Sequence, residues 1–534
     1  MMMKAAPLSS SSADEKQSQL ATEGLRRLSP FIPLILLATA LSVRLLIALQ
    51  PMRLQIERTL PDDAFYYYTT AQNILAGRGP SVDGLNPSNG WHPLWLILLL
   101  PIFAVPFDNP DTPVRLALIL SAALDSLVAL MIYRTVRRYI SQTAALVGGL
   151  AYALNGLPIF QSVNGLETGL SAFLLAVAWS RSLALVERPS WGRAAVWGLS
   201  FGLCFLGRTD TALILIWLGL FVLFKLPPRE RWQWIALGLV AAGVVAAPWL
   251  IWNQVNFGSA LFQTSAIAFP WAFRARHRLL YPDDPMWKLS VRAMTLVAGW
   301  LRGEYLGTPP LIFLLLWPMG VFGLVRSGKG NGRILMQTCL ALLAGGLSLV
   351  IVHVGIRLYP RAWYFVVTAQ SLALALALFW EGVRRLPRKL ALFTGTWFGM
   401  LLTSLMLWQQ GYHPWQTFHL EAAGWINRNI PPDALVGAWN AGIMGYYSDR
   451  QVVNLDGVVN PSAFEAVRAG RLMAYVREAG IEYVVDSDQA LRGEYGVFMG
   501  SGWPDALEEI AVVCGPDPTW GYWRAYRVIS NTER

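Results

Sequence analysis

The chain has 534 residues, 54% of them hydrophobic and only 14% charged, a balance outside soluble globular usage that predicts an α-helical polytopic membrane protein. Its formal net charge of +10 does not indicate nucleic acid, because the basic residues fall in small clusters between apolar runs and form no stripe with interleaved aromatics. The 3 cysteines are too few for a disulfide framework, and Cys204 and Cys339 fall inside apolar runs.

Residues 1–30 are polar and Ser-rich, with no signal-peptide cleavage pattern, and read as a disordered cytoplasmic tail before an uncleaved first helix. Apolar runs follow at 31–50, 112–133, 142–161, 168–186, 193–207, 211–225, 233–252, 308–325, 334–353, 362–380 and 390–408. These predict about eleven spans and a transmembrane domain over 31–408. A further run, 91–107, is only about as long as the minimum crossing and is interrupted by Pro101 and Pro106. If it does not cross, Arg134, Arg137 and Arg138, Arg188 and Arg193, Lys225, Arg229 and Arg231, and the later basic clusters all fall on the cytoplasmic side. That is what the positive-inside rule asks for. The 91–107 run is therefore placed as a re-entrant or interfacial helix within a first outer loop, 51–111.

The same sidedness gathers four polar features on the outer face: Asp62-Asp63, Asn164 to Thr168 around Glu167, Arg208-Thr209-Asp210, and Arg357 to Arg361. Arg274, Arg276, His277 and Arg278 join them in loop 253–306. Basic charge outside the membrane invites an anionic ligand. Beyond 408 the composition changes, and 409–534 reads as a small extracytoplasmic α/β domain with strands near Leu435 to Trp439, Gln451 to Leu455 and Ile481 to Asp486.

Each polar motif has a structural and a chemical reading. Pro61-Asp62-Asp63 looks like a helix start with Asp62 at the N-cap and Gly77 and Gly79 past the end. Either carboxylate could instead act as a general base or ligate a hard divalent metal. Glu167 is an interfacial acid or a second carboxylate for the same site. Arg208 and Asp210 form a mutual ion pair or line that site, and Arg357 and Arg361 either snorkel to the interface or bind a lipid phosphate. His92, between Trp91 and Pro93, is weak as a metal ligand. No Walker loop, HExxH, GxSxG or CxxC pair is present. With no nucleotide cradle, an enzyme acting outside the cytoplasm would draw on a lipid-linked donor.

The order of these parts resembles the GT-C superfamily of membrane glycosyltransferases, which includes protein O-mannosyltransferases, aminoarabinose transferases and oligosaccharyltransferases. The resemblance rests on Asp62-Asp63-Ala64-Phe65-Tyr66, His92-Pro93-Leu94-Trp95, Leu166-Glu167-Thr168, Arg208-Thr209-Asp210 and Tyr359 to Tyr364. It implies an inverting transfer of a sugar from a polyprenyl-phosphate donor to a glycan, lipid or protein acceptor on the outer face of the plasma membrane. By the same resemblance, Asp62, Asp63 and Glu167 are the catalytic candidates, Arg361, Arg357 and Arg208 the donor-phosphate binders, and Tyr66, His92, Asp210 and Arg276 substrate contacts. A divalent cation, magnesium or manganese, is compatible with the family but not required by it; Asp62, Asp63 and Glu167 would be its ligands. Many members carry Asp-Glu where this chain has Asp-Asp, so the base is left open between Asp62 and Asp63. The alternative is a transporter or flippase of lipid-linked sugars, a class that places ionisable groups near mid-membrane on broken helices.

Overall fold

The computed structural model describes residues 30–261, 263–282, 293–294, 297–298, 330–356, 361–383 and 389–529. The tail up to residue 29, the run 308–325 and Arg357 lie outside the described residues.

The helical part is organised around Asp111–Tyr139, which packs on Ile32–Ala48, Gln142–Ala153 and Thr168–Glu187. Thr368–Gly382 runs alongside, buried at every position from Thr368 to Phe379 and wedged against Gln142–Ala153 and Gly330–Val350. Trp191–Gly207 pairs with Arg231–Phe257 on the flank. Four described helices, Asp111–Tyr139, Thr168–Glu187, Arg231–Phe257 and Gly332–Val354, are long and apolar enough to cross a membrane. A fifth span arises if Ile32–Ala48 and Met52–Arg58, bent by 102°, are taken together. The expectation of eleven is corrected to that extent, because several apolar runs fold as shorter helices. Ala212–Lys225 has 14 residues, which reach about 21 Å against a hydrocarbon core of about 30 Å. The run at 91–107 forms an 11-residue helix, Pro93–Phe103, too short to span by the same arithmetic.

Inside the bundle Arg44 and Asp125 form an ion pair (Nε to Oδ2, 2.6 Å) with both side chains fully buried. Tyr152 donates to the second carboxylate oxygen at 2.6 Å, and Arg44 Nη1 donates to the carbonyls of Ala40 and Ala153. Sequence reading passed over both residues because each sits inside an apolar run. A charge in such a run is itself the signal. Removing one partner strands the other, so Asp125→Ala is expected to cost about 3–5 kcal/mol. Thermal unfolding of the detergent-solubilised protein would measure that loss.

After the helices comes a five-stranded sheet of order β2-β1-β3-β5-β4, with β1 Val436–Ala438, β2 Val452–Asn454, β3 Tyr483–Ser487, β4 Leu507–Asp517 and β5 Gly521–Val528. β1 pairs in parallel with β2 on one side and β3 on the other, while β5 and β4 close the sheet antiparallel. The first three strands match the sequence expectation. β4 and β5 were not foreseen, because β4 is mostly exposed and begins Leu507-Glu508-Glu509, which lacks an apolar alternation.

Candidate active site

The Asp62–Leu75 helix brings the acidic pair to the boundary between the bundle and the sheet. The sequence places Asp62 at the N-cap, but the structure corrects this: Pro61 occupies the cap and no side chain caps the helix. Asp62 is buried, with Oδ2 accepting the Gly442 N–H at 2.9 Å and Oδ1 accepting the Ile443 N–H at 2.7 Å. Both belong to the Ala441–Tyr447 helix that follows β1. The approach is so close that a Cβ at position 442 would collide with the Asp62 carbonyl oxygen. Burial pushes the Asp62 carboxyl up to about 6, against the two N–H donors that pull it down. Asp62 is thus a fastener between the two parts of the chain.

Asp63, one residue on, points the other way. Its side chain is exposed, but to a cavity walled by protein, and loss of bulk solvation pushes its carboxyl up to about 6. Arg361 opposes that rise, and the negative charges of Asp62 and Glu167 add to it.

The cavity holds about 260 Å³ and gathers most of the residues singled out from the sequence: Asp62, Asp63, Tyr66, His92, Glu167, Arg208, Asp210 and Arg361. Glu167 is fixed in place by Tyr67, whose hydroxyl donates to Oε2 at 2.7 Å, and by Arg208, whose Nη1 meets Oε1 at 2.7 Å. The Tyr67 oxygen also accepts the His92 N–H at 2.9 Å, and His92 Nε2 lies 3.5 Å from Glu167. Burial lowers the His92 pKa below its ordinary value. Arg208 turns its remaining nitrogens to Asp210, Nε to Oδ1 at 2.8 Å and Nη2 to Oδ2 at 3.2 Å, and lies over the Tyr364 ring. Asp210 in turn meets His353 Nε2 at 2.9 Å. The Pro93–Phe103 helix is tied to the same frame: Trp95 Nε1 and the Tyr68 hydroxyl both donate to the carbonyl of Gly165. Gly165 has φ +79, and a Cβ there would strike Tyr68 and Ala64.

This geometry sorts the residues by role. The fully paired Arg208 braces Glu167 and Asp210. Arg361 lines the cavity with its guanidinium over Trp363. Arg276 lies outside the main cavity, beside a smaller cleft, where Nη1 donates to the Gly493 carbonyl at 3.0 Å. The Asp62, Asp63 and Glu167 set does not fit a metal ion, because both oxygens of Asp62 and both of Glu167 are already engaged. Among the described residues no group of three or more His, Cys, Asp or Glu is arranged to hold one.

Sequence reasoning missed the other wall of the cavity. Trp439 and Asn440 follow β1, Asp456 follows β2, and Glu494 and Tyr495 lie in the turns after β3, so the site sits at the carboxyl ends of three parallel strands. β1 is the strand from which the chain departs to either side, the position where open parallel sheets form a binding crevice. The sequence signal was the Trp-rich composition of 409–534, which named no residue.

Comparison with known proteins follows this division of the chain. The family model for dolichyl-phosphate-mannose-protein mannosyltransferases matches residues 91–252, and a domain of unknown function (DUF8728) matches residues 407–530. No curated protein matches in sequence. Among solved structures, ArnT from Cupriavidus metallidurans bound to undecaprenyl phosphate is similar at a TM-score of 0.56 and 13% identity, over 93% of this chain and 98% of that one. The Archaeoglobus fulgidus oligosaccharyltransferase in complex with zinc and sulfate gives 0.54 and 15%, over 91% and 72%. The same organism's AglB, in complex with an inhibitory peptide and a dolichol-phosphate, gives 0.52 and 14%, over 91% and 74%. The chain has the fold of the GT-C membrane glycosyltransferases.

Proposed function

We propose that the protein is an inverting glycosyltransferase that moves a sugar from a polyprenyl-phosphate donor to an acceptor hydroxyl on the outer face of the plasma membrane, with the 409–534 domain on that side. The observation that carries this is the pairing, in one cavity, of a solvent-accessible carboxylate, Asp63, with Arg361. The lipid phosphates bound by ArnT and AglB support a donor of this kind. Asp63, the acid whose side chain opens to the cavity, is the general base. It takes the acceptor proton as the acceptor oxygen attacks the anomeric carbon from the face opposite the phosphate. The carbon–phosphate-oxygen bond breaks with its electron pair passing to the phosphate, and Arg361 balances the charge that develops there. Glu167, held by Tyr67 and Arg208, orients the acceptor together with His92. Tyr66 and Asp210 complete the wall of the site.

A pH profile tests the base. With its carboxyl at about 6, Asp63 is ionised above that pH and protonated below it. The transfer kcat/KM is therefore expected to level off above pH ~6 and to fall about tenfold per unit below it. A rate that does not change between pH ~5 and ~7 would remove Asp63 from the role.

A further inference from the structure

The two walls of the cavity differ in chemistry. The helical wall supplies Asp63 and both guanidiniums, Arg208 and Arg361. The other wall, built from residues 413–520, contributes no lysine or arginine among the described lining residues. Besides the carboxyls of Asp456 and Glu494, it offers neutral hydrogen-bonding groups and aromatic faces. Gln416 Oε1, Trp439 Nε1 and the Tyr495 hydroxyl are buried, belong to lining residues, and have no hydrogen-bond partner among the described residues. Leaving such atoms unpaired is costly, and here both acceptor and donor capacity occur on one wall of the cavity. Trp415 and Trp520 are only half-buried and stack at 5.8 Å with 29° between their planes, both lining the cavity.

We infer that this wall, at the carboxyl ends of β1, β2 and β3, is an acceptor subsite for neutral carbohydrate, so that the hydroxyl receiving the sugar belongs to a glycan and not to a peptide side chain. This rests on the transfer reading above and names the class of its acceptor. A sugar ring presents hydroxyls around its edge and C–H bonds on its faces. The amide, indole and phenol groups match the first, and the flat indole surfaces match the second. Burial pushes Asp456, on the same wall, up to about 8. At neutral pH its carboxyl is therefore protonated, donates to a sugar oxygen and repels no neutral ligand. Pairing of a peptide backbone along a sheet edge is not on offer here, because the outermost strands, β2 and β4, contribute no lining residue among those described.

The test uses the full-length protein in detergent and saturation-transfer NMR with two panels: short neutral oligosaccharides, and Ser/Thr-containing peptides of similar length. At least one oligosaccharide is expected to bind saturably, with affinity reduced about tenfold in Trp415→Ala and Trp520→Ala. Trp520→Phe should restore it. Thermal unfolding of each variant separates lost binding from lost fold. Binding of peptides but of no oligosaccharide, or full oligosaccharide affinity in the two alanine variants, overturns the inference. Asp63→Asn separates it from the transfer reading, since that variant keeps oligosaccharide binding while transfer slows by about 10²–10⁴-fold. Undiminished transfer in Asp63→Asn would sink the catalytic assignment and leave the subsite standing.

Discussion

Asp63→Asn is expected to slow transfer by about 10²–10⁴-fold, the usual contribution of a positioned general base. The substitution keeps the size of the side chain and leaves the hydrogen bonds of the frame in place, since Asp63 opens into the cavity while its neighbours Asp62 and Tyr67 make the contacts. The thermal midpoint should therefore stay close to that of the parent protein while the rate collapses. That separation distinguishes a base from a structural acid. Loss of stability in step with loss of rate would place Asp63 in the frame with Asp62.

Asp62→Ala should behave in the opposite way. Two buried N–H groups, those of Gly442 and Ile443, lose their acceptor, and each orphaned donor costs about 1–3 kcal/mol. The expected result is a clear drop in the unfolding midpoint and faster amide exchange in Ala441–Tyr447, the helix that Asp62 holds against the bundle. Gly442→Ala reaches the same end from the other side, because its Cβ has no room against the Asp62 backbone. Activity falls in both variants as the cavity wall loosens. In Gly442→Ala, which keeps the Asp62 charge, the pH profile of what remains should still turn near 6; in Asp62→Ala the turn should move lower, because the Asp62 charge that helps raise the Asp63 carboxyl is gone. Loss of the turn altogether would mean that Asp62 takes part in the proton transfer.

The two acids also mark where sequence reading stops. The convergence of Asp63, Glu167, Arg208, Asp210 and His92 on one cavity was legible because the alternation of loop charge assigned their segments to the same ends of the apolar runs. The division of labour between Asp62 and Asp63 was not. The groups that engage Asp62 lie 380 and 381 positions away along the chain, and they are backbone amides, which leave no mark on residue identity. Arg208 read as a phosphate binder because arginine at a membrane surface suits that role. The ion pair with Asp210 was one of the readings the sequence left open, but capture by Glu167 depends on how two helix ends meet. The aromatic wall was hidden for a related reason: Trp439, Tyr495 and Trp520 come from three separate connections of the sheet and share no motif. Among the described residues fewer helices reach spanning length than there are apolar runs, because hydropathy registers an apolar run whatever its helical length, and Ala212–Lys225 shows the difference.

The most direct test of the whole account follows the fate of the donor. The full-length protein, reconstituted in lipid vesicles, is given a polyprenyl-phosphate-linked sugar labelled in both the sugar and the lipid, together with an oligosaccharide acceptor. Sugar and lipid are expected to part company, with free polyprenyl phosphate appearing in step with glycosylated acceptor, and Asp63→Asn is expected to slow both by about 10²–10⁴-fold. Passage of the intact donor from one leaflet to the other, with no cleavage and no dependence on Asp63, would contradict it and establish a transporter.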